Sequence, residues 1–307
     1  MRQSEKMNND LLCSSAIPDL PSSTPVDLHT HSTRSDGTFS PSELVRYAAR
    51  KGLGAIALTD HDTVAGIAEA VNTALDENMP EVIPGVELST EYKGRDIHIV
   101  GLFPDWDDPA FAGRLQSFAD ARIYRNRKMC RLLTQSGYPV SFEELYRRFE
   151  DTVIARPHIA QYLVDEGLIG SVEEAFRKLI GDGCPCFVPR EKISPREAVE
   201  FLLDFHGVPV LAHPLQYHLT DASLDQLVRE LTHAGLMGIE VYYPTHKPCD
   251  TAALMRTADR YGLVCSGGSD FHGTRKPNLD LGTGYGHMFV PGSLLGPIRA
   301  CAMRNRQ

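Results

Sequence analysis

The chain has 307 residues, 42% of them apolar and 23% charged, with a formal net charge of -9. That balance supports a sizeable core and gives no ground for general disorder; it excludes a protein that grips duplex nucleic acid through a broad basic surface, because such binding rests on neutralising many phosphates at once. Seven cysteines, an odd number with no C-x-x-C pair, exclude a zinc ribbon and a closed disulfide framework and fit a reducing cytoplasm.

Residues 1–24 carry Ser, Asn, Asp and Pro without a sustained apolar run, so they read as a disordered tail and not as a signal peptide or membrane span. From Pro25 onward, apolar runs at 26–28, 55–58, 82–86 and 97–103 read as strands, with amphipathic stretches at 41–51 and 64–77 between the first three. The pattern breaks over 104–189, where 119–136, 141–148, 157–166 and 172–180 read as helices with no strand among them. This helical insertion is rich in arginine (Arg114, Arg122, Arg125, Arg127, Arg131, Arg147, Arg148, Arg156), which either guides an anionic substrate or forms a solvated helix face. Strands resume at 208–212, 238–243 and 263–266, alternating with helices at 195–206, 223–234 and 250–261. Helix starts are marked by Ser40 before Pro41, by Ser194 before Pro195 and Glu197, and by Asp221 or Ala222 before Ser223. Strands alternating with helices of this length imply parallel pairing with the helices outside. The expectation is an α/β barrel over 25–103 and 190–307, interrupted by an insertion over 104–189.

The histidines and carboxylates fall where the strands end. Asp27, His29 and His31 close the first run, Asp60, His61 and Asp62 the second, and Glu87 the third; His98 lies within the fourth, His213 follows 208–212, and Asp270 and His272 follow the last. In a parallel barrel the C-terminal strand ends share one face, so these residues converge there. His29 and His31, at i and i+2 on a strand, point to the same side and can take one metal as a pair. Imidazoles mixed with carboxylates suit manganese, iron or zinc, whereas magnesium prefers oxygen alone.

D-L-H-T-H-S-T-R-S-D-G at 27–37, T-D-H-D at 59–62, P-G-V-E at 84–87, His98, L-A-H-P at 211–214 and G-S-D-F-H at 268–272 together resemble the polymerase and histidinol phosphatase (PHP) superfamily. The resemblance runs from Pro25 to about Arg299, and A-R-P-H-I-A at 155–160 is similar to the bacterial branch of nucleoside 3′,5′-bisphosphate phosphatases and 5′ to 3′ exoribonucleases. It implies a distorted (β/α)7 barrel holding three divalent metals: one on His29, His31, Glu87 and Asp270, a second on Asp36, His61 and His272, a third on Glu87, His98 and His213. Every expected ligand position is filled, which argues against a degenerate copy of the fold.

Close cations lower the pKa of a bound water and neutralise phosphoryl charge, so the expected reaction is in-line hydrolysis of a phosphate ester by a hydroxide bridging two metals, with no protein nucleophile. His61, His213 and Asp270 are the residues on which hydrolysis would depend; protonation of the leaving group is left open between His213 and a metal-bound water. Arg156 is the expected phosphate clamp, because guanidinium binds phosphate oxygens in pairs, and His158 and His246 are further candidates for substrate contact. Asp27, Asp60 and Asp62 would either orient imidazoles or hold turns. Cys184 and Cys186 read as a buried loop. The partner expected is a small nucleotide or a short RNA 5′ end, with no membrane and no broad duplex surface; the oligomeric state is not legible. Competing readings are a histidinol-phosphate-type phosphatase, an amidohydrolase, against which Asp36 and S-D-F-H weigh, and a non-catalytic scaffold stabilised by metal.

Overall fold

In a computed structural model of the chain, residues 19–149, 154–189 and 193–307 are described. Seven strands lie side by side in chain order: β1 (Val26–Thr30), β2 (Ala55–Leu58), β3 (Glu81–Tyr92), β4 (Arg95–Leu102), β5 (Val208–Leu211), β6 (Gly238–Tyr242) and β7 (Val264–Gly267). β1 to β3 pair in parallel and so do β5 to β7, as the alternation of strand and helix implies. Beyond β7 the Asp270 amide donates to the His29 carbonyl (2.9 Å) and the His31 amide to the Phe271 carbonyl (3.0 Å), which draws the last strand onto the first and nearly closes a barrel.

β4 departs from the all-parallel expectation. It runs antiparallel to both β3 and β5, because β3 turns straight back through Lys93 and Gly94, both at positive φ (52° and 77°), instead of crossing over through a helix. Two consecutive left-handed residues are what a tight hairpin turn requires. The reversal matters for function: His98, early in β4, thereby reaches the level at which the parallel strands end.

Two of the helix starts are as expected. Ser40 accepts from the Glu43 amide (3.2 Å) while the Glu43 carboxylate accepts from the Ser40 amide (2.8 Å), opening the helix Pro41–Arg50, and Ser194 and Glu197 do the same for Pro195–Asp204 (3.2 and 2.7 Å). The third is corrected: the cap of Asp221–Ala234 is Thr220, whose hydroxyl accepts from the Ser223 amide at 3.2 Å. Strand residues alternate between two apolar layers. Leu211 packs with Ile239, Val241 and the outer helices through Phe201, Leu227 and Leu254, whereas Val208 and Val210 pack with Leu28, Leu102 and Ile298. The C-terminal helix Leu295–Asn305 seals the end where β5 begins, with Asn305 donating to the Gly207 carbonyl at 2.7 Å. The opposite end stays open to carry polar side chains.

Residues 19–24, expected in the tail, instead pack on the barrel: Leu20 joins the inner layer and the Thr24 carbonyl accepts from the Gly292 amide at 2.8 Å. Residues 1–18, with the remainder of that expectation, lie outside the described residues. Within the insertion the first helix is longer than its apolar pattern suggests, spanning Pro109–Gln135. Its first turns belong to the barrel, where Phe111 stacks on Phe201 (ring centroids 5.0 Å), while Met129 and Leu133 enter a separate core with Phe142, Leu145, Ile159, Leu163 and Ile180. No described helix is long and apolar enough to cross a membrane.

Candidate metal centre

All nine residues expected as metal ligands meet at the open end of the barrel. Glu87, in the middle of β3 and 1% exposed, is the hub. Its Oε2 lies 3.0 Å from His61 Nδ1 and 3.3 Å from the Nε2 atoms of both His29 and His31; its Oε1 lies 2.8 Å from His98 Nδ1 and 3.0 Å from His213 Nε2. Asp270 Oδ1 stands 3.3 Å from His31 Nε2 and 3.8 Å from His29 Nε2, and Asp36 stands 3.2 Å from His272 Nε2 and 3.9 Å from His61 Nε2. Four ligand-sized groups result: His29–His31–Asp270, His31–Asp36–His61–His272, His61–Glu87–His98 and His29–Glu87–His213.

These residues fit divalent cations on a structural ground. His29 Nε2, His31 Nε2, His61 Nδ1, His213 Nδ1 and Glu87 Oε2 are buried without a hydrogen-bond partner. Polar atoms so placed are costly unless something satisfies them, and five in one mouth, four of them imidazole nitrogens, make a donor set suited to manganese, iron or zinc. The electrostatics agree. Burial would raise the carboxyls of Glu87 and Asp270, yet the surrounding imidazoles, and Lys276 beside Asp270, hold both well below the usual carboxylate range. Burial drives His61 down to about 3, only partly opposed by Glu87 and Asp36, so its ring is neutral and ready to ligate. His31 feels the same burial, but Asp270 and Glu87 outweigh it and push its ring up to about 9, and Glu87 and Glu240 likewise hold His29 well above the usual range, so both rings lie where positive charge is favoured.

Support comes largely from a residue the sequence reading missed. Glu240, buried at the middle of β6, accepts from His29 Nδ1 (2.9 Å) and from the His213 amide (2.6 Å), which fixes the first ring with Nε2 facing inward. An acid inside the apolar run G-I-E-V-Y was the available signal. Asp27, Asp60 and Asp62 hold loops: Asp27 accepts from the Ser269 and Gly282 amides (both 2.8 Å), Asp60 from the Ser32 amide and the Ser32 and Ser35 hydroxyls (2.7, 2.6 and 2.6 Å), and Asp62 from the Ser89 amide (3.0 Å). Tyr243 and Lys276 both reach Asp270 Oδ2 (2.8 and 2.5 Å), leaving Oδ1 to face the histidines. His213 (φ 26°) and Asp270 (φ 53°) sit in the left-handed region, a strained conformation held by the surrounding fold at the site itself.

The centre opens into a cleft of about 250 Å³ between barrel and insertion, lined by Asp36, His61, Ser89, Asp96, His98, Arg125 and Arg156. Arg156, at the start of the helix Arg156–Asp165, donates to Asp182 (2.7 Å) and lies 3.5 Å from Asp96. Arg125 departs from the solvated-face reading, for it is buried, with Nε and Nη2 on Asn126 Oδ1 (3.1 and 2.9 Å). Arg275 was also missed; burial lowers its guanidinium pKa, while Asp36 and Asp165 act to raise it, and its Nε is buried without a hydrogen-bond partner. His158 is not brought to the cleft. It is buried, its Nδ1 accepts from the Ala155 amide (2.8 Å), and its ring packs on Phe149 (4.8 Å), so it caps its own helix instead of meeting substrate. His246 faces a different cavity. Cys186 is buried and Cys184 partly so, and neither belongs to a ligand group among the described residues. The side chain of Arg122 lies outside the described residues.

A family model described as the PHP domain matches residues 27–266. The chain is 36% identical to a 3′,5′-nucleoside bisphosphate phosphatase of Chromobacterium violaceum, over 84% of this chain and 90% of that one. It is 37% identical to a 5′-3′ exoribonuclease of Haemophilus influenzae, over 80% and 89% of the two chains. The solved structure of a Bifidobacterium adolescentis protein assigned as a metal-dependent phosphoesterase superposes with a TM-score of 0.79 at 29% identity, covering 92% of this chain and 97% of that one.

Proposed function

The chain belongs to the PHP domain family, and from that premise we propose that it is a metal-dependent phosphoesterase acting on nucleoside 3′,5′-bisphosphates and on the 5′-phosphorylated end of short RNA. The observation that carries this reading is the cleft, in which the candidate ligands Asp36, His61 and His98 face Arg125 and Arg156 across a space of about 250 Å³. One wall suits cations and the other suits phosphate.

Three divalent cations on the nine ligands would neutralise phosphoryl oxygens and lower the pKa of an attacking water toward neutrality. The protein's own groups do the rest. Glu87 gathers five imidazoles, Glu240 and Tyr243 hold His29 and Asp270 in register, and Arg156, whose Asp96 and Asp182 partners hold it at the cleft, would exchange them for the paired acceptors of a phosphate. Arg125 stands on the same wall, where a second phosphate of a bisphosphate would lie. His61 carries turnover with His213 and Asp270.

The test is phosphate release by manganese-loaded protein from adenosine 3′,5′-bisphosphate, 5′-phosphorylated trinucleotide RNA and histidinol phosphate, with a chelated control. Chelator-sensitive turnover of the first two is expected. Turnover of histidinol phosphate alone would overturn the substrate assignment, and turnover of none would leave a metal-stabilised scaffold.

A further inference from the structure

β5 leaves the sheet at His213, where a φ of 26° bends the chain into the short turn Pro214–Tyr217. The last backbone bond between β4 and β5 runs from the Ala212 amide to the His98 carbonyl at 3.1 Å. The His98 amide points to the same side as its carbonyl, toward a strand that has already turned away. It donates instead to the Tyr217 hydroxyl at 3.1 Å, and that hydroxyl donates to the Ala212 carbonyl at 2.5 Å. One buried side chain thus supplies the rung that the bend removes, accepting from one strand and giving to the other. Its ring stands edge-on to His213, with centroids 5.5 Å apart, and its own carbonyl accepts from Arg95 Nη1 at 3.0 Å.

The two residues tied in this way carry the imidazoles expected, with Glu87, to hold the third cation. His98 Nδ1 and His213 Nε2 meet only at Glu87 Oε1, and the four compact ligand groups place His98 with His61 and His213 with His29, never the two together. The gap between these two rings therefore depends on the ends of β4 and β5 that bear them. A gap fixed before binding spares the cation the cost of ordering its ligands.

We infer that Tyr217 is a positioning residue for this third site: its hydroxyl joins the backbone of His98 to that of Ala212, the residue before His213, and so presets the spacing of the two imidazoles. The inference rests on the three-cation reading above, and it gives Tyr217 no contact with metal or substrate. A hydroxyl is required because a buried N–H left without an acceptor is costly, and the bent strand offers no backbone oxygen in its place.

The experiment follows successive binding of manganese to metal-free protein by competition against a fluorescent chelator, with manganese per chain counted after gel filtration. Wild type should take three ions. Tyr217→Phe keeps the ring against His213 and removes only the hydroxyl; it should bind two ions with unchanged affinity and the third about tenfold or more weakly, the scale of one buried donor left unsatisfied. A merely structural role would lower the thermal midpoint without singling out one ion. Arg95→Met, at an exposed side chain, removes the bond to the Tyr217 carbonyl and should weaken the third ion by about threefold, the scale of one ordinary hydrogen bond. It decides the matter should Tyr217→Phe not fold. Equal weakening of all three ions, or an unchanged third ion in the variants that fold, would overturn the positioning role while leaving the three-cation reading intact. Fewer than three ions on wild type would overturn that reading, and the inference with it.

Discussion

Replacing Glu240 by Gln isolates the contribution of a residue that would touch neither substrate nor metal. The side chain is isosteric, so no cavity is made at a position 1% exposed. In the native protein both oxygens accept, Oε1 from His29 Nδ1 at 2.9 Å and Oε2 from the His213 amide at 2.6 Å. A carboxamide has one acceptor and one donor, so it keeps one of these bonds and turns an N–H toward the other donor. Losing a hydrogen bond to a charged group costs about 2 kcal/mol, which is about a 30-fold change in a binding constant. The loss falls on metal affinity, because Glu240 is among the carboxylates that oppose burial and hold the His29 ring well above its usual pKa, and a less basic ring is a weaker ligand. The assay is competition for manganese against a fluorescent chelator at constant pH, with circular dichroism to show that the apo-protein keeps its fold. Affinity for manganese within twofold of wild type would refute the positioning argument.

Three further outcomes are expected. His61→Ala should lower kcat on adenosine 3′,5′-bisphosphate by at least about 100-fold while far-ultraviolet circular dichroism stays unchanged; a variant retaining a tenth of the activity would remove His61 from the machinery. Arg156→Ala should raise KM by about tenfold or more, and Arg156→Lys should not restore it, since an ammonium cannot make the paired bonds of a guanidinium; full rescue by Lys would reduce the role to charge alone. Burial pushes the Cys130 thiol from 9.0 up to about 12, so its contribution to stability is complete below pH 9 and is lost as pH rises toward 12. The difference in urea midpoint between wild type and Cys130→Ala should therefore shrink from pH 8.5 to pH 11, and a difference that grows would contradict the sign.

The convergence of the candidate ligands was legible because histidines and carboxylates at strand ends leave short, dense motifs. D-L-H-T-H and S-D-F-H each place two candidate ligands within three residues, and the barrel expectation alone brings them to one face. Glu240 escaped because it stands alone in an apolar run, and only the folded register shows it reaching both His29 and His213. The direction of β4 escaped because an apolar run has no polarity of its own; the Lys93–Gly94 turn held the information in two residues. His158 left its expected role, and the place of Arg125 stayed open, for a related reason. Helical spacing tells which residues share a face but not which neighbour covers it, so a histidine expected at the substrate became a cap, and of the two readings open for Arg125, substrate guide or solvated face, only the folded structure puts it on the cleft wall.

The seam between β1 and the segment after β7 joins residues some 240 positions apart in the chain, through the His31–Phe271 and Asp270–His29 backbone bonds. Glu87 and His98, by contrast, meet across a hairpin whose turn spans two residues. Pairing across a long loop is entropically dear and comes slowly, while hairpin contacts form early. The order of assembly is thus written into the ligand set: Glu87 and His98 are in place as soon as β3 meets β4, and His29, His31, Asp270 and His272 come together only when the barrel shuts. A cation held by both halves would act as a latch on that closure, because binding only the closed form stabilises it.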